Sequence, residues 1–273
     1  GNVLHELGEF QKAISCCEKA IQIQPNFAGT HNNLGLVFKE LGEHQKAISC
    51  YKKAVQINPN FAGAHNNLGA VYFELGEHQK AISCYKKVIQ IEPNNLTSHW
   101  LSMNTFPIIY ENLKEIDLYR KRFEDGTKKI NHLLDTQSQY TKKQIVDAMK
   151  SSTNFYLSYQ GRNDINLQQK YANLIERLTE KIYPQFHQER TINKSIKFIK
   201  IGFVSSFFKN HTISMLFKNW IIKLNRNFFS IFVYYIGNEF DKITSQIKES
   251  SNDFFNHTDI DQLINRISKN KLD

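Results

Sequence analysis

Ser205, Ser206, Asn210 and His211 fall within one stretch, KFIKIGFVSSFFKNHTISMLFKNW, where hydroxyls, an amide and an imidazole follow an apolar run. Imidazole titrates nearest neutrality of the side chains, so it can accept, donate or move a proton at a reacting hydroxyl. A lone histidine at a helix start also serves as a cap, and the sequence leaves both roles open for His211. A second set is amide chemistry. Asn33 and Asn67 occupy the same place in two HNNLG segments, and an amide offers both a donor and an acceptor. Stacked asparagines can pair with a peptide backbone whatever its sequence, or they can simply hydrate a surface. A third set is thiol. Cys16, Cys50 and Cys84 recur with Cys17 beside the first, and no CxxC pair exists. They read as copies of one helix-face residue rather than as metal ligands.

The elements that carry the asparagines announce themselves by repetition. GNVLHELGEFQKAISCCEKAIQIQPNF, GLVFKELGEHQKAISCYKKAVQINPNF and GAVYFELGEHQKAISCYKKVIQIEPNN begin at Gly1, Gly35 and Gly69, a period of 34 residues. That period and residue pattern form the tetratricopeptide signature, two antiparallel helices per unit. Ala13, Ala47 and Ala81 mark the close helix crossing, and Pro25, Pro59 and Pro93 stop the second helix of each unit. The first unit lacks its opening turn, so further repeats are expected upstream.

From Thr97 to Gln188 the period is lost but apolar residues keep three-and-four spacing, as in IIYENLKEIDLYRKRFEDGTKKINHLL and LQQKYANLIERLTEKIY. An aromatic-rich segment ending in Gly161-Arg162-Asn163-Asp164 separates them. This reads as a helical adaptor capping the repeats, and the polar residues His187 to Ser195 read as a linker.

The segment that carries His211 then alternates strand and helix. Ile199–Val204 suits a buried parallel strand, with Gly202 where close approach is useful. Thr212 is the expected N-cap of a helix whose single apolar face is Ile213, Leu216, Phe217, Trp220, Ile221 and Leu224. Phe228–Ile236, Asp241–Glu249, Phe254–Asn256 and a helix through Ile267 complete a β-α-β-α-β-α order. This predicts a Rossmann-like sheet whose ligand crevice lies at the carboxyl ends of the strands, at Ser205, Ser206, Asn210 and His211.

The expected fold is therefore mainly α. A tetratricopeptide solenoid (1–96) and a helical adaptor with linker (97–195) precede a partial Rossmann-like lobe (196–273). Composition fits this: 22% charged and 41% hydrophobic residues suit a globular chain. The densest apolar run, FFSIFVYYI, is too short to span a bilayer. The net charge of +9 is uneven, at +1 over residues 1–99 and +8 over the rest. The excess is scattered lysine without arginine clusters or interleaved aromatics, so nucleic acid is not an expected partner. The chain starts at Gly1 with no leader pattern, so it is expected to begin inside a longer protein; with reduced thiols this suggests a cytoplasmic setting. The Asn-x-Ser/Thr triplets at Asn95, Asn193, Asn210 and Asn256 are chance in an asparagine-rich chain.

The HNNLG…ELGEHQKAISCY…P repeats, NFYLSYQG at Asn154–Gly161, IKIGFVSSFFKNH at Ile199–His211 and FVYYIGNEFD at Phe232–Asp241 occur in the order seen in one enzyme family. The chain resembles, over nearly its whole length, the tetratricopeptide-containing O-linked N-acetylglucosamine transferase and SPINDLY-type glycosyltransferases. The resemblance implies inverting transfer of a sugar from a nucleotide donor, UDP-GlcNAc, to Ser/Thr of acceptor proteins lying along the repeat groove. It implies no metal and no cofactor. His211 matches the family's active-site histidine, and Asn33 and Asn67 match its acceptor-gripping asparagines. The acidic residue usual after the two serines is Phe207 here. In that two-lobed (GT-B) fold the diphosphate is held by a second lobe. The chain ends at ISKNKLD where the next core strand is expected, so these 273 residues are expected to bind no nucleotide sugar and to transfer nothing. A second reading is a tetratricopeptide scaffold for protein–protein contact with a non-catalytic sheet.

Overall fold

The computed structural model describes residues 8–136, 140–187 and 198–272. The opening of the first repeat and most of the expected linker lie outside these residues. The chain divides into two compact units, Gly1–Pro184 and Gln185–Asp273.

The first unit is helical. Repeat helices are α1 (Phe10–Ile23), α2 (Ala28–Glu40), α3 (His44–Ile57), α4 (Ala62–Glu74) and α5 (His78–Ile91). Small residues set their spacing. Ala13, Ala47, Ala64 and Ala81 are fully buried, and a Cβ on Gly35 or Gly69 would stand 2.7 Å from a ring carbon of Tyr51 or Tyr85. Each second helix begins after a Leu-Gly turn in which Gly42 and Gly76 take φ of +74° and +75°, left-handed values that favour glycine. Each repeat junction is tied by a histidine. His31, His65 and His99 donate through Nε2 to the carbonyls of Pro25, Pro59 and Pro93 at 2.8, 3.0 and 2.9 Å.

Beyond the repeats stand α6 (Leu96–Asn104), α7 (Leu113–Thr136), α8 (Lys142–Ser151), a 3-10 turn at Phe155–Gln160, and α9 (Ile165–Ile182). The helical spacing read from Ile108 onward is realised only from Leu113; residues 105–112 form an irregular segment. One apolar cluster joins Ile82 of the third repeat to Trp100, Met103, Phe123, Ile145, Leu157 and Leu174, so repeats and adaptor share a core. Trp100 is wholly buried and its indole N–H donates to the Ser152 carbonyl at 2.9 Å.

The second unit is a three-stranded parallel sheet in the order β1-β2-β3, formed by β1 (Ile199–Ser205), β2 (Phe229–Tyr235) and β3 (Asp253–Asn256). Interleaved helices are α10 (Thr212–Lys223), α11 (Lys242–Glu249) and α12 (Ile260–Asn270). Ile201 and Phe203 of β1 with Ile231, Val233 and Tyr235 of β2 meet Ile221 of α10 and Ile243 and Ile247 of α11. On the other face Asn270 of α12 donates to the Tyr234 hydroxyl at 2.8 Å, and Arg266 pairs with Asp253 at 2.9 Å. Gly202 is needed on that face, because a Cβ there would lie 2.3 Å from Leu272. The fold is thus a mainly helical repeat array followed by a small parallel sheet with helices on both faces.

Two expectations for this unit are corrected. Thr212 does not cap α10; His211 occupies the N-cap, with extended backbone, and its Nδ1 accepts the Ile213 N–H at 3.2 Å. Only part of the apolar face expected of α10 is buried: Ile221 is, and Leu224 packs against the same cluster. Ser214 and Ile221 are buried, whereas Leu216, Phe217 and Trp220 are 65%, 47% and 63% exposed. On the buried side Ser214 Oγ donates to the Phe207 carbonyl. Among the described residues β1 is an edge strand, so nothing beyond it covers the remaining apolar positions.

Candidate functional site

The carboxyl edge of the sheet is where the second unit concentrates its polar side chains. β1 ends at Ser205, whose Oγ accepts the Phe207 N–H at 3.0 Å, turning the chain away from the strand. Ser206 and Phe207 are exposed, Phe208 is buried, and Asn210 is exposed. The loop is pinned from below. Thr244 Oγ1 donates to the Phe208 carbonyl at 2.6 Å, and Lys209 pairs with Glu239 at 2.5 Å.

His211 is held in two ways. Its Nδ1 caps α10, and its ring stacks on Phe207 with centroids 4.3 Å apart and planes 24° apart. An Nδ1 lone pair engaged with a backbone N–H leaves the proton of the neutral ring on Nε2. In this arrangement His211 presents a donor, and it can take a proton only by giving up its cap. Phe207 stands where the resembled family has an acid, and it supplies a ring face rather than a charge.

Asp241 is the residue that sequence reasoning did not assign to the site. Its carboxylate accepts from Ile243 N and Thr244 N at 2.8 and 2.9 Å, capping α11, and also from the backbone N–H of Asn210 at 2.5 Å. The Thr244 amide first, then the Asn210 amide, holds its carboxyl below the usual carboxylate range. Asp259 caps α12 in the same way through Asp261 N and Gln262 N. Each helix N-terminus at this edge therefore already holds an acceptor from the chain itself. A signal was present in the sequence: Asp241 and Thr244 stand at capping-box spacing. A cavity of about 480 Å³ lies beside this cap, lined by Asn210, Met215, Lys218, Asp241, Lys242 and Gln246. Of the four crevice residues expected, Asn210 lines it; Ser205, Ser206 and His211 share its loop but not its wall.

In the first unit Asn67 Nδ2 donates to Asn32 Oδ1 at 3.0 Å, linking α4 to α2. The ladder thus joins Asn67 to Asn32 rather than to Asn33. Asn32 went unnoticed in the sequence although the HNN doublet holds it. Asn66 Oδ1 is buried with no hydrogen-bond partner among the described residues, leaving an acceptor beside this pair. Burial pushes two of the thiols, Cys50 and Cys84, up to about 11 each, whereas Cys16 is exposed. Among the described residues no cluster of His, Cys, Asp or Glu could hold a metal, and no helix is long and apolar enough to cross a membrane.

Comparison with known proteins places the repeats. Residues 1–42 and 35–76 match the model described as TPR repeat, and residues 62–95 match Tetratricopeptide repeat. No curated protein sequence matches the chain. Among solved structures, a mutant O-GlcNAc transferase of Thermobaculum terrenum is 15% identical with a TM-score of 0.48. That match covers 100% of this chain but 43% of the transferase chain, so this chain spans less than half its length. MamA is 18% identical with a TM-score of 0.47, over 69% of this chain and 97% of its own. The first TPR of Spaghetti (RPAP3), bound to an HSP90 peptide, is 22% identical with a TM-score of 0.34, over 46% and 86%. Residues 1–95 match tetratricopeptide repeats, and a helical adaptor and a small parallel α/β unit follow them.

Proposed function

We propose that this chain is the acceptor-side portion of a GT-B protein O-glycosyltransferase, one that moves N-acetylglucosamine from UDP-GlcNAc to Ser/Thr of proteins held along the repeats. The observation that carries this reading is the strand IKIGFVSS leading to His211 at the mouth of a parallel sheet, behind tetratricopeptide repeats and a helical adaptor. Sugar transfer needs the acceptor hydroxyl held in line with the anomeric carbon, and repeats with backbone-binding amides can hold an extended peptide. Asn33 and Asn67 are the assigned contacts. His211 belongs to the acceptor side as an Nε2–H donor that positions an oxygen, and Ser205, Ser206 and Asn210 shape its loop. Transfer also needs charge or helix N-termini on the leaving diphosphate. The helix N-termini of this unit hold Asp241, Asp259 and His211 instead, which supports assigning that task to residues outside this chain.

The second reading, a protein-binding scaffold of the cytoplasm, draws on the same filled helix termini. One experiment separates the two. Label transfer from UDP-GlcNAc to a Ser/Thr peptide is measured with this chain alone, with the product of its adjoining coding sequence, and with His211→Ala in the latter. The transferase reading expects transfer only by the longer product, abolished by His211→Ala. Peptide binding by the repeats without any transfer by the longer product supports the scaffold.

A further inference from the structure

Among the described residues β1 pairs along one edge only. The Ile199 N–H donates to the Phe228 carbonyl at 2.8 Å, and the Ser205 carbonyl accepts the Ile236 N–H at 3.0 Å. The odd-numbered residues of β1 thus turn their backbone groups toward β2. Gly202 and Val204 turn theirs outward, where no described strand meets them. The strand, IKIGFVS, holds neither a proline nor an acid that would block an added neighbour.

An apolar shelf borders this edge. Ile201 and Phe203 of β1 and Trp220 and Leu224 of α10 wall a cavity of about 600 Å³, in which Asn219 and Lys223 are the polar side chains. Leu216, Phe217 and Trp220 extend the surface along α10; Ile199 is exposed on the strand, and Val204 on its opposite face. These five side chains expose roughly 500 Å², as large as the largest apolar patch on many monomers. With the cavity wall and the strand edge, the surface approaches the about 800 Å² that each partner gives to a stable interface.

We propose that this edge and the exposed face of α10 pair with the same surface of a second copy of this chain, about a two-fold axis at Phe203. β1 then runs antiparallel to its copy. Gly202 and Val204 of one chain exchange N–H···O bonds with Val204 and Gly202 of the other. Phe203 faces its own copy across the axis as a cross-strand aromatic pair on the α10 side. The two α10 helices lie side by side, with Leu216, Phe217 and Trp220 filling the space between them. Such a contact is isologous, so it closes at two copies and joins two three-stranded sheets into one. It does not rest on the transferase reading.

Sedimentation equilibrium of the full 273-residue chain tests it, with tryptophan emission followed on dilution. A dimer is the expected species. Trp100 and Trp220 are the two tryptophans and Trp100 is wholly buried, so a red shift on dissociation reports Trp220. Trp220→Glu with Leu216→Glu should weaken self-association at least about thirtyfold. Val204→Pro removes an outward N–H that β2 does not use, and should weaken it about tenfold with an unchanged far-UV spectrum. Tyr159→Glu alters a similarly exposed aromatic of the first unit and should leave the dimer intact. A chain that stays monomeric when concentrated overturns the proposal, as does association beyond two copies. So does a dimer that survives Trp220→Glu with Leu216→Glu, or one that Tyr159→Glu disrupts equally.

Discussion

Gly69→Ala adds one methyl where α4 crosses α5. The new Cβ would stand 2.7 Å from Tyr85 Cε1 and 3.1 Å from Cys84 Cβ, and Tyr85 is 1% exposed. Ordinary carbon contact begins near 3.5 Å, so the ring or the helix must move by most of an ångström. Overpacking of this kind costs about 1–3 kcal/mol. Alanine in a helix interior returns about 1 kcal/mol relative to glycine. The balance is a net loss of about 1 kcal/mol, reaching ~2 if the ring cannot yield. Gly63 sits in the same helix and supplies the control. Its added Cβ meets only the Phe61 ring, at 3.3 Å, and the site is exposed. Gly63→Ala should therefore be neutral or stabilising by about 0.5 kcal/mol. Urea unfolding of the two variants reads the difference directly, and Tyr85→Leu combined with Gly69→Ala should recover part of the packing loss. If Gly69→Ala proves as stable as Gly63→Ala, close approach is not what glycine provides at this crossing.

Three further outcomes follow from the second unit and the thiols. His211→Ala should destabilise the α10 end by about 1 kcal/mol, whereas His211→Asn keeps the cap; thermal unfolding compares them, and sugar transfer by the longer product should be lost in both. Asp241 has a folded-state pKa depressed below its unfolded value, so its contribution is present above about pH 4 and is lost as pH falls through the folded value. Asp241→Asn should accordingly flatten the acid limb of the stability profile of this unit, followed by circular dichroism against pH. Iodoacetamide at pH 8 should label exposed Cys16 well before Cys50 and Cys84, whose thiols near 11 leave about one part in a thousand as thiolate; mass mapping of the labelled cysteines decides it.

The repeats were legible because their determinants are local and are written three times. A glycine that admits Tyr51 or Tyr85 and a proline that ends a helix need no distant partner to be read. The strands of the second unit were legible for a similar reason, as short β-branched or aromatic runs between turn residues. The orientation of α10 was not. Six apolar residues define a face on a helical wheel, but which part is buried depends on how many strands lie beneath it and on Ser214 reaching Phe207. The caps divided along the same line. Asp241 and Thr244 carry a spacing that marks a helix start, while a histidine that caps through Nδ1 is indistinguishable in sequence from one that serves a substrate. Asn32 was missed because a period pairs each residue with its own copy, and the bond made is a diagonal one, Asn67 to Asn32.

The tie from each histidine to a proline carbonyl six residues earlier bears on how such an array grows. Donor and acceptor lie within one short segment that straddles the boundary between units, so duplicating a 34-residue block copies the joint along with the helices it joins. A new unit arrives with its own hinge already set and needs no compensating change in its neighbours. Length then varies freely by insertion or loss of whole blocks, while an insertion or deletion between a proline and its histidine would part the two.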